Sequence, residues 1–350
     1  MNIVKQNLFI EINKTNIDEY LQDYQLIICK IRNSRLKAKQ IALLEMVFAQ
    51  YENKITAVKN SPLGDIKGIF SVLCPKDKLE AFKDKLFGIG YCCKYYLLDF
   101  ADYLMENRTD LRSINPLIWK GKKFSVVDFY SEDNDIYIKH SAHNREFKIA
   151  DNNGEVKTIC GYRGDGSEMG RRSLPVEDAR CMVNLSIPHI NKKMLDPFAG
   201  AGGIIFEFNF INPHGSMTSI DIDPVLKPGL EFYGSSHFVM NAADASFPEN
   251  SFDSIVTETP FSEKAADDII AVLRKLNLCV SNNGVFVIMC KKNQFLEIHK
   301  TMTEFNYYFL FNHKIDRKGT DVEISIWWKN KDLFSDINIE SFISDLKTLY

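Results

Sequence analysis

Three acids in the second half of this 350-residue chain each close a short apolar run: Asp196 in "KKMLDPF", Asp221 in "GSMTSID" and Asp244 in "HFVMNAAD". The first continues as "LDPFAGAGG", where Gly200 and Gly202 allow a tight turn into a helix whose N-terminus offers free N–H groups to a ligand. This is not the dinucleotide fingerprint G-x-G-x-x-G, because Ile205 stands where the third glycine belongs. Asp221 at a strand end can accept two hydrogen bonds from a ribose diol. Asp223 reads instead as the cap of the next helix, with Pro224 at its first position. Asp244 can accept a hydrogen bond from an exocyclic adenine amine. Each acid alone is an ordinary loop residue. Three of them at successive strand ends beside a glycine turn are a specific constellation.

A fourth strand ends in "VTETPFSE", which places an acid (Glu258), a hydroxyl (Thr259), Pro260 and the ring of Phe261 where ligands collect in α/β proteins. Other stretches carry less. "GYRGDGSEMGRRS" (161–173) reads equally as a lid, as a phosphate contact through Arg171 and Arg172, or as a solvated loop. "WKGKKF" (119–124) is basic with flanking aromatics, yet an exposed turn is the simpler reading. His140 and His143 lack a carboxylate or cysteine cluster at ligand spacing, so no metal is expected. The eight cysteines show no CxxC spacing and read as buried, reduced thiols.

Elements must place those strand ends side by side. From residue 185 onward, strands alternate with helices: "GGIIFEFNFI" after the first strand, "PVLKPGLEFY" after the second, "SEKAADDIIAVLRKLNLCV" after the fourth. "NGVFVIMC", a helical "NQFLEIHKTMTEF" and "VEISIWWK" follow. In the last, one indole is expected inside the sheet and one outside. Such alternation predicts an α/β fold with an open, largely parallel sheet covered by helices on both faces. The first 150 residues predict a smaller α+β domain: "IKGIFSVLCP", "KDKLEAFKDKLFGIG" and "YCCKYYLLDF" read as strand, helix, strand, and "KKFSVVDFY" and "DIYIKHSA" as two more strands. "ENRTDLRSINPLIWKGKK" is a candidate linker, and "SDINIESFISDLKTLY" a final amphipathic helix that packs on the body.

The length suggests two domains, and the composition, 45% hydrophobic and 25% charged, supplies a core. No apolar run reaches membrane-spanning length and the first residues lack signal-peptide architecture, so a cytoplasmic protein is expected. A net charge of −3 argues against a strongly electrostatic nucleic-acid binder. Residues 1–150 hold 23 Lys and Arg against 19 Asp and Glu, about +4, which leaves about −7 for the rest. That asymmetry permits a basic N-terminal face.

Taken together, "LDPFAGAGG", "SIDIDP", "NAADA" and "VTETPF" resemble the class I S-adenosylmethionine-dependent methyltransferases whose fourth motif is Asp/Asn-Pro-Pro-Tyr/Phe. "SLPVEDARCMVNLS" (173–186) is similar to the segment that precedes the first motif in the THUMP-group tRNA guanine-N2 methyltransferases. The resemblance covers about residues 160–330, and no THUMP pattern is found in residues 1–150. Beside the α+β and candidate RNA-binding domain over 1–115, the linker with connecting strands over 116–160 and the C-terminal helix over 336–350 that the residue patterns set, it implies a Rossmann-like methyltransferase domain over 161–335. It also implies S-adenosyl-L-methionine as cofactor. Asp196, Phe198, Gly200 and Gly202 would line its methionine end, Asp221 with Ile222 its ribose, and Asp244 with Ala245 its adenine. The catalytic set would be Glu258, Thr259, Pro260 and Phe261, with side chain and backbone carbonyl accepting the protons of a target amine and the ring stacking on the base. The motif departs from the family: Glu258 is one methylene longer than aspartate, and Thr259 replaces the first proline. The implied function is N-methylation of a base in RNA, tRNA guanosine N2 first of all. DNA, a protein or a small molecule remain alternative targets, and a lapsed enzyme serving as an RNA-binding or scaffold partner remains a non-enzyme alternative.

Overall fold

The computed structural model describes residues 6–12, 20, 22–59, 68–98, 174–262, 265–317, 320–332 and 337–349, with the backbone of segments 125–127, 137–140, 147–150 and 156–159. The loop 161–173, "WKGKKF", the whole candidate linker "ENRTDLRSINPLIWKGKK", Cys160, His143 and the side chain of His140 lie outside the described residues. The chain divides into two compact units, residues 1–129 with 334–350, and residues 130–333.

In the first unit, β1 (Phe9–Ile10), β2 (Tyr24–Ile31), β3 (Thr56–Val58), β4 (Ile69–Pro75), β5 (Cys92–Leu98) and β6 (Ser125–Val127) form one sheet in the order β1-β3-β4-β2-β5-β6. Pairing is antiparallel except between β1 and β3. Helices α1 (Lys39–Ala49) and α2 (Leu79–Lys85) pack on it. The buried Glu45 of α1 accepts the N–H groups of Gly90 at 2.6 Å and Tyr91 at 3.0 Å, which satisfies a charge removed from water.

The second unit opens with an antiparallel meander of β7 (Tyr137–His140), β8 (Phe147–Ala150) and β9 (Val156–Ile159). Its main sheet holds β10 (Lys193–Asp196), β11 (Ser216–Asp221), β12 (Ser235–Val239), β13 (Phe252–Glu258), β14 (Val280–Lys291), β15 (Tyr308–Arg317) and β16 (Thr320–Trp328), ordered β12-β11-β10-β13-β14-β16-β15. The first five are parallel and β16 runs against its neighbours β14 and β15. This is the Rossmann-like α/β sheet expected. The chain leaves β10 toward β11 and returns on its other side as β13, so a crevice opens at the carboxyl ends of β10 and β13.

Five helices cover the sheet: α3 (Val176–Leu185), α4 (Gly203–Ile211), α5 (Lys227–Phe232), α6 (Ala266–Leu276) and α7 (Lys292–Glu304). Ile269, Val272, Leu273 and Leu276 of α6 recur at helical spacing and join Leu195, Ile255, Phe286 and Trp327 in one buried core. Residues that alternate with these along the strands, such as Met194, Val256, Val287 and Met289, are buried on the opposite face, and α3 packs on both α4 and β14. With both faces covered, Trp327 and Trp328 are each fully buried. The expectation of one exposed indole is therefore corrected: an alternating strand exposes a face only where nothing packs on it. Six of the seven described cysteines are buried, Cys93 is half-buried, and none forms a disulfide.

The C-terminal helix α8 (Ile339–Leu349) belongs to the first unit. Phe342 stacks on Phe9 with ring centroids 4.7 Å apart, Lys59 pairs with Asp345 at 2.9 Å, and Gln40 Nε2 donates to the Leu346 carbonyl at 3.1 Å. A backbone bridge between Gln6 and Ile337 joins the two ends of the chain. Phe342→Ala should accordingly destabilise the first unit by about 3–5 kcal/mol, the usual loss for a buried phenylalanine. Denaturant unfolding followed by near-ultraviolet dichroism measures this; an unchanged midpoint would mean that α8 does not hold the unit together.

Candidate functional site

Asp196 closes β10 and is 1% exposed. Its Oδ1 accepts the Thr257 hydroxyl at 2.6 Å and the Phe198 N–H at 3.1 Å, so the neighbouring strand β13 and the turn itself supply the partners. Burial pushes the carboxyl up to about 7, helped by the charge of Asp221 nearby, while the two hydrogen bonds draw it back. A cationic ligand arriving in the crevice would favour the ionised form.

The following turn depends on two left-handed glycines, Gly200 at φ 49° and Gly202 at φ 79°, and Gly202 caps α4. The Gly202 N–H donates to the Ala199 carbonyl at 2.9 Å, and the Ala199 N–H to the Ile220 carbonyl at 3.0 Å, which pins the turn to β11. Leu174, just before α3, packs against the start of α4 at Gly203, 3.4 Å from where a Cβ would stand. An ion pair holds α3 there: Arg180 Nε lies 2.6 Å from Glu207 Oε2, joining α3 to α4. Burial raises the Glu207 carboxyl and Arg180 opposes the rise. The arginine of "SLPVEDARCMVNLS" thereby gains a structural role.

Asp221 ends β11 with both oxygens engaged by backbone, Oδ2 accepting from Gly200 N–H at 2.8 Å and Oδ1 from Asp223 N–H at 2.9 Å. A carboxylate oxygen has a second lone pair, so both can still accept from a ligand diol. Ile222 beside it is 70% exposed, an apolar surface presented at a strand end. Asp244 closes a short turn of helix after β12 and is exposed, whereas its neighbour Ala245 is buried. Glycine backbone, a diol acceptor and an exposed aliphatic side chain beside it suit an adenosyl group by donor chemistry and shape.

Glu258 closes β13, and its carboxylate is ion-paired with Arg317 at the end of β15. The guanidinium also lies 5.8 Å from the centre of the Phe261 ring and 3.6 Å from Met289 Sδ. Thr259 N–H donates to the Met289 carbonyl at 2.8 Å, one more rung of the β13–β14 ladder that a proline could not make. Gln294 at the start of α7 clamps the motif: its Oε1 accepts from Lys291 N–H at 3.0 Å and lies 3.1 Å from Thr259 Oγ1, while its Nε2 donates to the Pro260 carbonyl at 2.8 Å. Asp196, Phe198, Gly200, Leu174 and Glu258 line one crevice. The sequence reading did not single out Thr257, Gln294 or Arg317. Thr257, inside the fourth motif, meets Asp196 of the first only in the folded chain, and Gln294 and Arg317 reach the fourth motif from a helix and a strand distant in sequence.

No protein-family profile matches the chain. A tRNA (guanine(10)-N2)-dimethyltransferase from Pyrococcus abyssi is 33% identical over 96 residues, 25% of this chain and 29% of that protein. The enzyme of the same name from Methanothermobacter thermautotrophicus is 35% identical over 94 residues, 25% of this chain and 27% of that protein. The chain thus matches less than a third of the length of these curated relatives. Among solved structures, TrmN from Thermus thermophilus aligns with a TM-score of 0.40 at 18% identity, over 46% of this chain and 50% of that one. The resemblance to S-adenosylmethionine-dependent tRNA guanine-N2 methyltransferases, read from motifs, stands on sequence comparison as well. Among the described residues no group of side chains could hold a metal ion, and no helix is long and apolar enough to cross a membrane.

The elevated Asp196 carboxyl sets a pH test. The folded chain binds this proton more tightly than the unfolded one, so Asp196 favours folding fully below the unfolded value near 4, and that contribution is lost as pH rises toward about 7. Asp196→Asn keeps an acceptor for Thr257 and Phe198 without the charge. From pH 4 to 7.5 the wild type should lose stability relative to this variant by an amount on the order of a few kcal/mol. Parallel urea titrations measure it; identical pH profiles would mean that the carboxyl is not raised.

Proposed function

We propose that the protein transfers a methyl group from S-adenosyl-L-methionine to the exocyclic amine of a base in RNA, with guanosine N2 of tRNA as the target. The observation that carries this reading is the shared crevice: Glu258 of the fourth motif stands beside Asp196 and the glycine turn. Two halves of a reaction, a place for an adenosyl donor and a set of acceptors for an amine, are thereby adjacent. The partial relatives named for guanine N2 support the choice of base.

In this reading Asp221 accepts the ribose hydroxyls, Ile222 packs beside the adenine, and Asp244 accepts from its amine. Bound there, S-adenosylmethionine supplies a methyl group activated by a sulfonium. The protein's part is positioning. An aryl amine conjugates its lone pair into the ring and is a poor nucleophile until that pair is turned toward the methyl carbon. Glu258 and the Thr259 carbonyl accept the two amine protons, and Phe261 stacks on the base, which together fix that pose. The amine turns acidic as it bonds to carbon, and Glu258 then takes the departing proton. The N-terminal residues 1–150, with 23 Lys and Arg against 19 Asp and Glu, are assigned the RNA contacts.

The ion pair between Arg317 and Glu258 favours a second reading, a cofactor-binding protein without transfer activity. Labelled S-adenosylmethionine incubated with the protein and unmodified total RNA decides between them: label should enter tRNA, and cofactor binding with no label in RNA would select the second. Asp221→Ala should lower S-adenosylhomocysteine affinity at least about tenfold by calorimetry, since charge-assisted bonds are lost. Glu258→Ala should leave that affinity within about threefold and slow transfer about 100-fold. Full activity of Glu258→Ala would refute its catalytic role.

A further inference from the structure

We propose that Arg317 is a displaceable plug in the target-base subsite, and that the base it stands in for presents two adjacent N–H donors on one edge, as guanine does. This rests on the methyl-transfer reading above. The guanidinium is flat and delocalised, with donors in a rigid fork. Its central carbon lies over the Phe261 ring, 5.8 Å from the centroid, and its Nη1 pairs with Glu258 Oε1. Those are the two partners the reading gives a target base: the aromatic ring and the acid. Glu258 lines the crevice and Arg317 is joined to it, the two side chains 11% (Arg317) and 20% (Glu258) exposed.

The chemistry of the edge narrows the base. An ionised carboxylate only accepts, and it takes parallel N–H donors in bidentate fashion. Guanine offers its ring N–H next to the exocyclic amine, the same N–C–N donor pattern as a guanidinium. Cytosine and adenine flank their amines with unprotonated ring nitrogens, whose lone pairs would face the carboxylate oxygens. Glutamate, longer by one methylene than the family's aspartate, extends the acceptor pair outward to where such an edge can lie. A base enters only when Arg317 has withdrawn, so its apparent affinity is reduced by the fraction of molecules with the subsite vacated.

Ligand-observed NMR titrations with guanosine and with cytidine, at pH 8, test this on the wild type, Arg317→Ala and Arg317→Gln. Each is run with and without saturating S-adenosylhomocysteine. Guanosine affinity should rise at least about tenfold in both variants while cytidine affinity stays unchanged. Arg317→Gln, whose shorter and uncharged side chain gives up the ion pair with Glu258, decides the matter if Arg317→Ala does not fold. Unchanged or weaker guanosine binding in the folded variant overturns the plug, and an equal gain for cytidine overturns the guanine edge. Failure of S-adenosylhomocysteine to bind the wild type would refute the methyl-transfer reading separately, and the nucleoside titrations without it still decide whether Arg317 blocks the subsite.

Discussion

A carboxylate buried at the end of a parallel strand needs donors from the protein, because water no longer supplies them. For Asp196 those donors are the Thr257 hydroxyl and the Phe198 N–H, both on one oxygen. The first ties the carboxyl end of β10 to β13, and the second curls the chain into the turn that Gly200 and Gly202 complete. The turn in turn meets β11, where Asp221 accepts the Gly200 N–H. One buried acid therefore sets the spacing of three strand ends. The side chains that line the crevice inherit their positions from it.

The fourth motif departs from the pattern of the methyltransferases it resembles at two residues, and each departure has a local physical consequence. Thr259 brings an N–H that extends the ladder to Met289 and a hydroxyl beside Gln294, so the motif is held to β14 and α7 more tightly than a proline would allow. Glu258 reaches beyond the strand end and meets Arg317 from the far edge of the sheet. A half-buried carboxylate paired with one guanidinium is held in a single geometry, which serves an amine acceptor provided that the cation can yield its place.

Much of the second unit was legible in the chain, because alternating strands and helices write their own periods and strand-end acids are local features. Asp196 and Asp221 stand at strand ends, where the sequence reading set them, whereas Asp244 does not: β12 stops at Val239 and Asp244 closes the short helical turn Ala242–Asp244 that Asn241 caps. What escaped it depends on contacts between distant segments. Arg317 meets Glu258 only because β15 and β16 fold back beside β14, and no pattern around "KIDRKG" announces a partner. The Trp327–Trp328 pair looked amphipathic because alternation alone cannot say whether a second layer covers the sheet. The first unit was less readable still: its sheet is closed by a helix from the other end of the chain, through Phe9 and Phe342.

On the methyl-transfer reading, the glycine turn, Asp221 and Glu258 belong to one site. A crystal structure of the protein with S-adenosylhomocysteine tests it most directly. The ribose hydroxyls should lie on Asp221, the adenine beside Ile222, and the sulfur over the Gly200–Gly202 turn, facing Glu258. A ligand bound away from this crevice, or one whose sulfur points away from Glu258, would contradict it.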